Sequence, residues 1–153
     1  MEKNEKKTVS KLALARQFEI LARLLEIIRE NPFKIRAYRF AARIIRNFPE
    51  DELNELDIKK LSELKGIGTA VVSKSLEFLE QGKISKLEEV KSLFPNSILK
   101  LSIETGLPSK IISVLWKDYG IIKPEGIVEF LEKHKDAFKI PESEKRKIKE
   151  LLI

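Results

Sequence analysis

The stretch that decides the fold is Leu64-Lys65-Gly66-Ile67-Gly68-Thr69-Ala70. Its two glycines flank one aliphatic residue, and the sequence on either side has a helical pattern. Glycine tolerates the backbone angles of a tight turn, so this segment can join two helices. Such a turn presents backbone N–H groups at the start of the second helix, where they attract a phosphate oxygen. Taken alone, the pattern fits a plain turn between helices equally well.

Two amphipathic helices are predicted before this turn. Apolar residues recur at helical spacing from about 10 to 30, and Asn31-Pro32 ends this helix and begins the next. Asparagine caps helices and proline suits the first helical position. The second helix, about 32 to 47, carries an apolar face and several arginines. A small helix capped by Asp57 follows and reaches about Glu63.

After the turn the pattern remains helical. One helix is predicted from 69 to 80 and ends at Gly82, and another is capped by Ser85 and reaches about Leu93. Phe94-Pro95-Asn96 then breaks the chain and marks a boundary between domains. Further helices are predicted at 97–104, 109–119, 124–134 and from 142 or 143 onward. The chain lacks an alternating strand pattern and the Asn-Gly or Asp-Gly signal of a β-hairpin, so the predicted fold class is all-α, a compact helical bundle.

Composition limits the classes of function. The 153 residues are 42% hydrophobic, and the net charge of +6 is compatible with a polyanionic partner without requiring one. The absence of cysteine excludes disulfides, thiolate metal sites and a cysteine nucleophile. No apolar run is long enough to span a membrane, and the start from Met1 to Lys7 is charged, so we expect a cytoplasmic protein without a membrane partner. Abundant Lys and Glu favour a thermophilic source.

Two blocks of sequence together resemble the N-terminal lyase domain of family X (DNA polymerase beta-like) DNA polymerases. The block Asn31-Pro32-Phe33-Lys34-Ile35-Arg36-Ala37-Tyr38-Arg39-Phe40-Ala41-Ala42 is similar to the second helix of that domain, and the glycine turn with its following helix is similar to the hairpin. The resemblance predicts a helix-hairpin-helix domain over 1–92. Residues 93–153 more weakly resemble the DNA-binding domain that follows in these enzymes. There Gly106-Leu107-Pro108 stands where a second hairpin is expected, in a degenerate helix-hairpin-helix domain.

The resemblance implies binding without sequence preference to gapped, nicked or abasic DNA in base excision repair. The residues expected to contact DNA lie in the two hairpins, on the basic helix and on the helix that begins near Ser85: Gly66, Gly68, Thr69, Gly106, Lys34, Tyr38, Arg39 and Lys86. No cofactor is expected apart from a potassium or sodium ion at the first hairpin. By resemblance, the backbone carbonyls of Ser62, Leu64 and Ile67 would coordinate that ion.

The resemblance also implies a chemical activity at Lys74. In the lyase domain a lysine amine attacks the C1′ aldehyde of an abasic sugar and forms a Schiff base, and β-elimination releases the sugar. Lys74 occupies the matching position near the edge of an apolar helix face, although a lysine lying beside the core is the ordinary outcome there. Ala70 and Ser73 stand where the animal enzymes have a lysine and a glutamate. Abasic-site or 5′-deoxyribose-phosphate lyase activity is therefore one open alternative.

Two further functions remain open. The chain has no Gly-Ser turn and no Asp-x-Asp pair of the kind that holds two metal ions in the polymerase palm, so it is not expected to polymerise DNA alone. It can instead be a catalytically inactive DNA-binding or interaction module that works with a separately encoded polymerase domain. The third alternative is a protein-interaction scaffold that has lost DNA binding. Pro108, which has no N–H to donate, weakens the second hairpin as a phosphate site.

Overall fold

The computed structural model describes residues 7–153, and the all-α prediction is confirmed. Apart from Lys7, the charged start predicted at Met1 to Lys7 lies outside the described residues. None of the helices in the described range is long and apolar enough to cross a membrane. The helices are α1 (Lys11–Ile27), α2 (Pro32–Arg46), α3 (Glu55–Lys60), α4 (Thr69–Gln81), α5 (Ser85–Lys91), α6 (Asn96–Glu104), α7 (Ser109–Ser113), α8 (Pro124–Lys133), α9 (Lys135–Phe138) and α10 (Glu142–Leu152).

Four short elements complete the secondary structure of the described residues. A 3-10 turn at Leu61–Glu63 continues from α3, and a π-helical segment at Val114–Asp118 continues from α7. The two-residue strands β1 (Val9–Ser10) and β2 (Glu52–Leu53) pair antiparallel, with Val9 opposite Leu53. The sequence had not predicted this pair, because two residues are too few to produce an alternating pattern.

The described chain forms two compact units. One comprises the described residues up to Ala22 together with Asn31–Val90, and the other comprises Arg23–Glu30 together with Lys91–Ile153. The last turns of α1 therefore belong with the C-terminal unit. The reason is chemical, because the Arg23 guanidinium donates to the Ser102 carbonyl at 2.5 Å and to the Ser109 hydroxyl at 3.1 Å. The predicted domains 1–92 and 93–153 remain predictions.

In the first unit, α1, α2 and α3 bury apolar side chains around the segment that leads to the glycine turn. The ring of Phe18 is fully buried and stacks on that of Tyr38, with 5.8 Å between centroids. Burial of apolar side chains of this size is the main favourable contribution to folding. Further fully buried side chains of this unit are Leu14, Leu21, Ile45, Leu53, Ile58, Leu61, Ile84 and Leu87.

The predicted helix ends are partly confirmed. Asn31 Oδ1 accepts a hydrogen bond from the Phe33 N–H at 2.8 Å, and Pro32 begins α2. Gly82 ends α4 with a φ of +74°, as predicted. Asp57 was wrong as the cap of α3, because Asn54 takes that position and exchanges hydrogen bonds with Asp57 in a capping box.

Ser85 was also wrong as a helix cap. Its hydroxyl donates to the Glu77 carboxylate, and the hydrogen bonding of α5 begins from the carbonyl of Ile84, which accepts from the Glu88 N–H at 3.1 Å. The Ser85 side chain therefore links α4 to α5 instead of capping its own helix.

In the second unit, the predicted helix 109–119 is divided into α7 and the π-helical segment. Arg29, at the end of α1, has a φ of +62°, an uncommon conformation for a residue with a side chain. Its guanidinium donates to both carboxylate oxygens of Asp118 at 2.9 and 2.8 Å. This hydrogen-bonded cation holds the pKa of Asp118 below its usual value.

His134 packs against two aromatic rings of the C-terminal unit. It is half-buried, and its ring centroid lies 4.5 Å from that of Phe130 and 5.6 Å from that of Phe138. The sequence gives no sign of this, because α9, which carries Phe138, is only four residues long and was not predicted. Trp116 is half-buried, and its ring centroid lies 4.9 Å from that of Phe94.

Candidate nucleic-acid interface

The first hairpin is a tight turn that only glycine fits at one position. Gly66 has a φ of +94°, and a Cβ atom added there would lie 2.7 Å from Cε2 of Phe40. Ile67 is buried and anchors the turn, and its N–H donates to the Leu64 carbonyl at 3.1 Å. The turn is therefore fixed by backbone conformation, by contact with α2 and by one buried side chain.

The start of α4 is open to an anion. Gly68 precedes the helix in an extended conformation, and no side chain caps the helix. A Cβ added at Gly68 would have no atom within 4 Å, and Gly66, Gly68 and Thr69 are all exposed. The first N–H groups of a helix lack intrahelical partners and carry the positive end of the helix dipole. This turn therefore presents donors that a phosphate can reach.

The basic face of α2 lies against the same turn. Phe40 contacts Gly66, and the Arg43 guanidinium lies over the Phe40 ring at 5.8 Å from its centroid. The exposed cations of this helix are Lys34, Arg36, Arg39, Arg43 and Arg46. Arg43 was not among the predicted site residues, although its spacing of four from Arg39 places both on one helix face and was a usable signal.

Two predicted site residues from separate blocks of sequence meet. The Lys74 amine on α4 lies 5.6 Å from the centroid of the Tyr38 ring on α2. Tyr38 is 8% exposed, and Lys74 is half-buried. Lys34 precedes Tyr38 by one turn of α2 and is exposed. The lysine predicted as nucleophile and the tyrosine predicted to contact DNA are therefore neighbours.

A carboxylate beside Lys74 was not predicted. Glu77 follows Lys74 by three residues on α4 and accepts the hydroxyl hydrogen bond from Ser85. Hydrogen bonds from the hydroxyl and the backbone N–H of Ser85, followed by the charges of Lys74 and Lys83, lower the pKa of Glu77. Its spacing from Lys74 could have indicated the pair, but the contact with Ser85 depends on how α5 packs.

The other predicted residues of this unit are less closely grouped. The amine of Lys86, on α5, lies 3.4 Å from the Glu89 carboxylate. The residues proposed to coordinate a cation, Ser62 and Leu64, lie in or just after the 3-10 turn, and the Leu64 carbonyl already accepts the Ile67 N–H. Within residues 7–153 no group of three His, Cys, Asp or Glu residues could hold a metal ion.

The second hairpin differs from the first at the donor that was expected to bind DNA. The N–H of Gly106 donates to Oε1 of Glu144 on α10 at 2.8 Å. The Leu107 N–H donates to Oγ1 of Thr105 at 3.2 Å, and Pro108 has no N–H. Gly106 was predicted to contact DNA, but its N–H already donates to a side chain of the same protein.

These features define a protein of the helix-hairpin-helix class: a short helical turn, a glycine turn with a buried aliphatic residue, and a second helix with an open start. The family model for the helix-hairpin-helix domain matches residues 10–84 of this chain.

The chain is also similar to the DNA polymerase/3'-5' exonuclease PolX of Bacillus subtilis (strain 168), with 32% identity over 122 residues. The match covers 80% of this chain and 21% of that protein, so the chain spans about a fifth of the length of the curated relative. The predicted resemblance to the N-terminal part of family X polymerases is confirmed.

Proposed function

We propose that this chain binds DNA without reading its sequence, and that its targets are gapped, nicked or abasic sites in base excision repair. The helix-hairpin-helix domain and the similarity to a family X polymerase support DNA binding in a repair context. The observation that carries the proposal is the uncapped start of α4 beside the basic face of α2. Backbone donors and arginines together suit the phosphate backbone, which has no sequence-specific chemistry.

The backbone N–H groups of Gly66, Gly68 and Thr69 would bind phosphates of one strand. They are exposed, and the Phe40 ring packs closely against the turn at Gly66. Donors that are already positioned lose little conformational freedom on binding, so each contributes more to affinity than a mobile side chain. Exposed cations such as Arg39 and Arg43 would add screened, salt-dependent attraction along the same surface.

A 5′-phosphate at a gap would be held by Lys34, Tyr38 and Lys86. Lys34 and Tyr38 are one helical turn apart on α2, and the Tyr38 residue is 8% exposed with its ring stacked on that of Phe18. The packed ring fixes the direction of the Tyr38 side chain, whose hydroxyl can donate to a phosphate, whereas Lys34 supplies a mobile charge. Lys86 would have to exchange its contact with Glu89 for the phosphate.

Substituting Gly68 with alanine tests the backbone contact. The added methyl group meets no protein atom, so the fold should be kept, but it would stand between the turn and an approaching phosphate. We expect affinity for gapped DNA to fall about 10-fold, the size of one charge-assisted hydrogen bond. Fluorescence anisotropy measures the affinity, and urea unfolding of the same variant verifies its stability. Unchanged affinity in a stable variant would exclude this amide as a phosphate donor.

A potassium or sodium ion at the first hairpin is part of the proposal. The carbonyls of Ser62, Leu64 and Ile67 would coordinate it, and the hydrogen bond from Ile67 to the Leu64 carbonyl leaves that oxygen a second lone pair. We expect DNA affinity to fall several-fold when K⁺ and Na⁺ are replaced by tetramethylammonium at equal ionic strength. Binding that is the same in all three salts would argue against the ion.

We further propose that Lys74 acts as the nucleophile of a 5′-deoxyribose-phosphate or abasic-site lyase. Its unprotonated amine attacks the C1′ aldehyde, and loss of water gives the Schiff base. A base then removes a C2′ proton, the C3′–O bond breaks, and the electron pair leaves with the phosphate-bearing strand. Water finally hydrolyses the Schiff base and restores the amine. The position of Lys74 supports this role, because its half-buried amine lies 5.6 Å from the centroid of the Tyr38 ring, next to the residue proposed to hold the 5′-phosphate.

A catalytically inactive DNA-binding module, working with a separately encoded polymerase domain, is the second candidate. Ala70 and Ser73 favour it, because both are exposed on α4 and neither offers the charge that the animal lyases carry at these positions. The two candidates share the DNA surface and differ only in the chemistry at Lys74. Covalent trapping on abasic DNA separates them.

A further inference from the structure

Glu144 provides an internal anion for the second hairpin. It lies in the first turn of α10, 38 residues beyond Gly106, and its Oε1 accepts the Gly106 N–H at 2.8 Å. The two residues share a small cavity of about 140 Å³, whose walls also include Pro108 and Ile140. This hydrogen bond joins two elements within the C-terminal unit.

Two neighbouring positions of this turn offer no further donor, because the Leu107 N–H is bonded to the Thr105 hydroxyl oxygen and Pro108 has no N–H. From Gly106 to Pro108, the Gly106 N–H is therefore the donor directed to another element, and a carboxylate occupies it. The helix after each hairpin has no side-chain cap, so the carboxylate on Gly106 is the feature that sets the second hairpin apart.

We infer that Glu144 occupies the position of a DNA phosphate at the second hairpin and keeps this hairpin from binding DNA. A carboxylate and a phosphate both accept hydrogen bonds from backbone N–H groups, so they compete for one donor. The negative charge of Glu144 also repels an approaching phosphate. The inference rests on the proposed function, and it assigns the DNA contact of this chain to the first hairpin.

The test compares Glu144→Ala with Glu150→Ala. Both variants lose one negative charge from α10, but Glu150 is exposed and has no hydrogen bond or ion pair in the described part of the chain. At low salt we expect Glu144→Ala to bind gapped DNA about 10-fold more tightly than Glu150→Ala, because it frees one donor and removes one local repulsion. Equal affinities of the two variants would overturn the inference. Failure of the unmodified protein to bind DNA at low salt would instead overturn the proposed function.

Two further measurements guard against a variant that is merely unstable. Glu144→Gln keeps an oxygen that can accept the Gly106 N–H, so it should bind DNA like Glu150→Ala and unfold like the unmodified protein. In ¹⁵N–¹H spectra of the unmodified protein, DNA should shift the Gly68 resonance and leave that of Gly106 in place. A Gly106 resonance that moves as much as that of Gly68 would show that the second hairpin is open, and would contradict the inference.

Discussion

Replacing Lys74 with alanine or with arginine should abolish covalent trapping of this protein on abasic DNA. Borohydride reduces a lysine Schiff base to a stable amine, so the adduct reports the proposed chemistry directly. The substrate is a one-nucleotide gap with a 5′-deoxyribose phosphate. Arginine keeps the positive charge, but its guanidinium stays protonated and forms no Schiff base. We expect a clear adduct with the unmodified protein. Both variants should give about 100-fold less adduct or none.

Lys83→Ala is the matched control. Lys83 follows the end of α4, is exposed, and acts electrostatically on the same Glu77 carboxylate as Lys74. Its removal should leave the adduct intact. An adduct that persists in Lys74→Arg would assign the chemistry to another amine. No adduct with the unmodified protein, together with intact gap binding, would favour the inactive module.

Substituting Gly66 with alanine should have the largest effect on stability. The residue has a φ of +94°, and an added Cβ would lie 2.7 Å from Cε2 of the Phe40 ring. A side chain in that conformation costs about 1–2 kcal/mol, and forcing an atom into a packed contact costs about 1–3 kcal/mol more. We therefore expect the free energy of unfolding to fall by roughly 2–5 kcal/mol, measured by urea denaturation.

Gly68→Ala is the control for this result. It adds the same methyl group two residues away, in an extended backbone with open space around it. Its unfolding free energy should change by less than about 1 kcal/mol, since alanine is only a poorer helix cap than glycine. Equal stability of the two variants would mean that the Phe40 contact does not restrain the turn.

Much of the fold was predictable because its signals are local. Asn31-Pro32 and Gly82 act within one helical turn of themselves, and both end helices as predicted. Asp57 and Ser85 failed for different reasons. Asn54 begins its helix three residues before Asp57, in a capping box that is itself a local pattern. The hydroxyl of Ser85 instead donates to Glu77 on the preceding helix, a contact that depends on how the two helices pack.

The candidate site was predictable only in part. The meeting of Lys74 with Tyr38 agrees with the family resemblance, which relates residues 36 positions apart without any local pattern. The contact of Glu144 with Gly106 could not have been predicted in this way, because it joins residues 38 positions apart that no sequence pattern relates. The π-helical segment was missed because its five residues have the composition of an ordinary helix.

DNA binding at a gap is the central claim, and anisotropy titration of the unmodified protein tests it most directly. The labelled duplexes are an intact one, a one-nucleotide gap with a 5′-phosphate, and the same gap with a 5′-hydroxyl. At low salt we expect binding to all three, tightest for the gap with the phosphate, and an affinity that falls steeply as salt rises. No binding to any duplex at low salt would contradict the account.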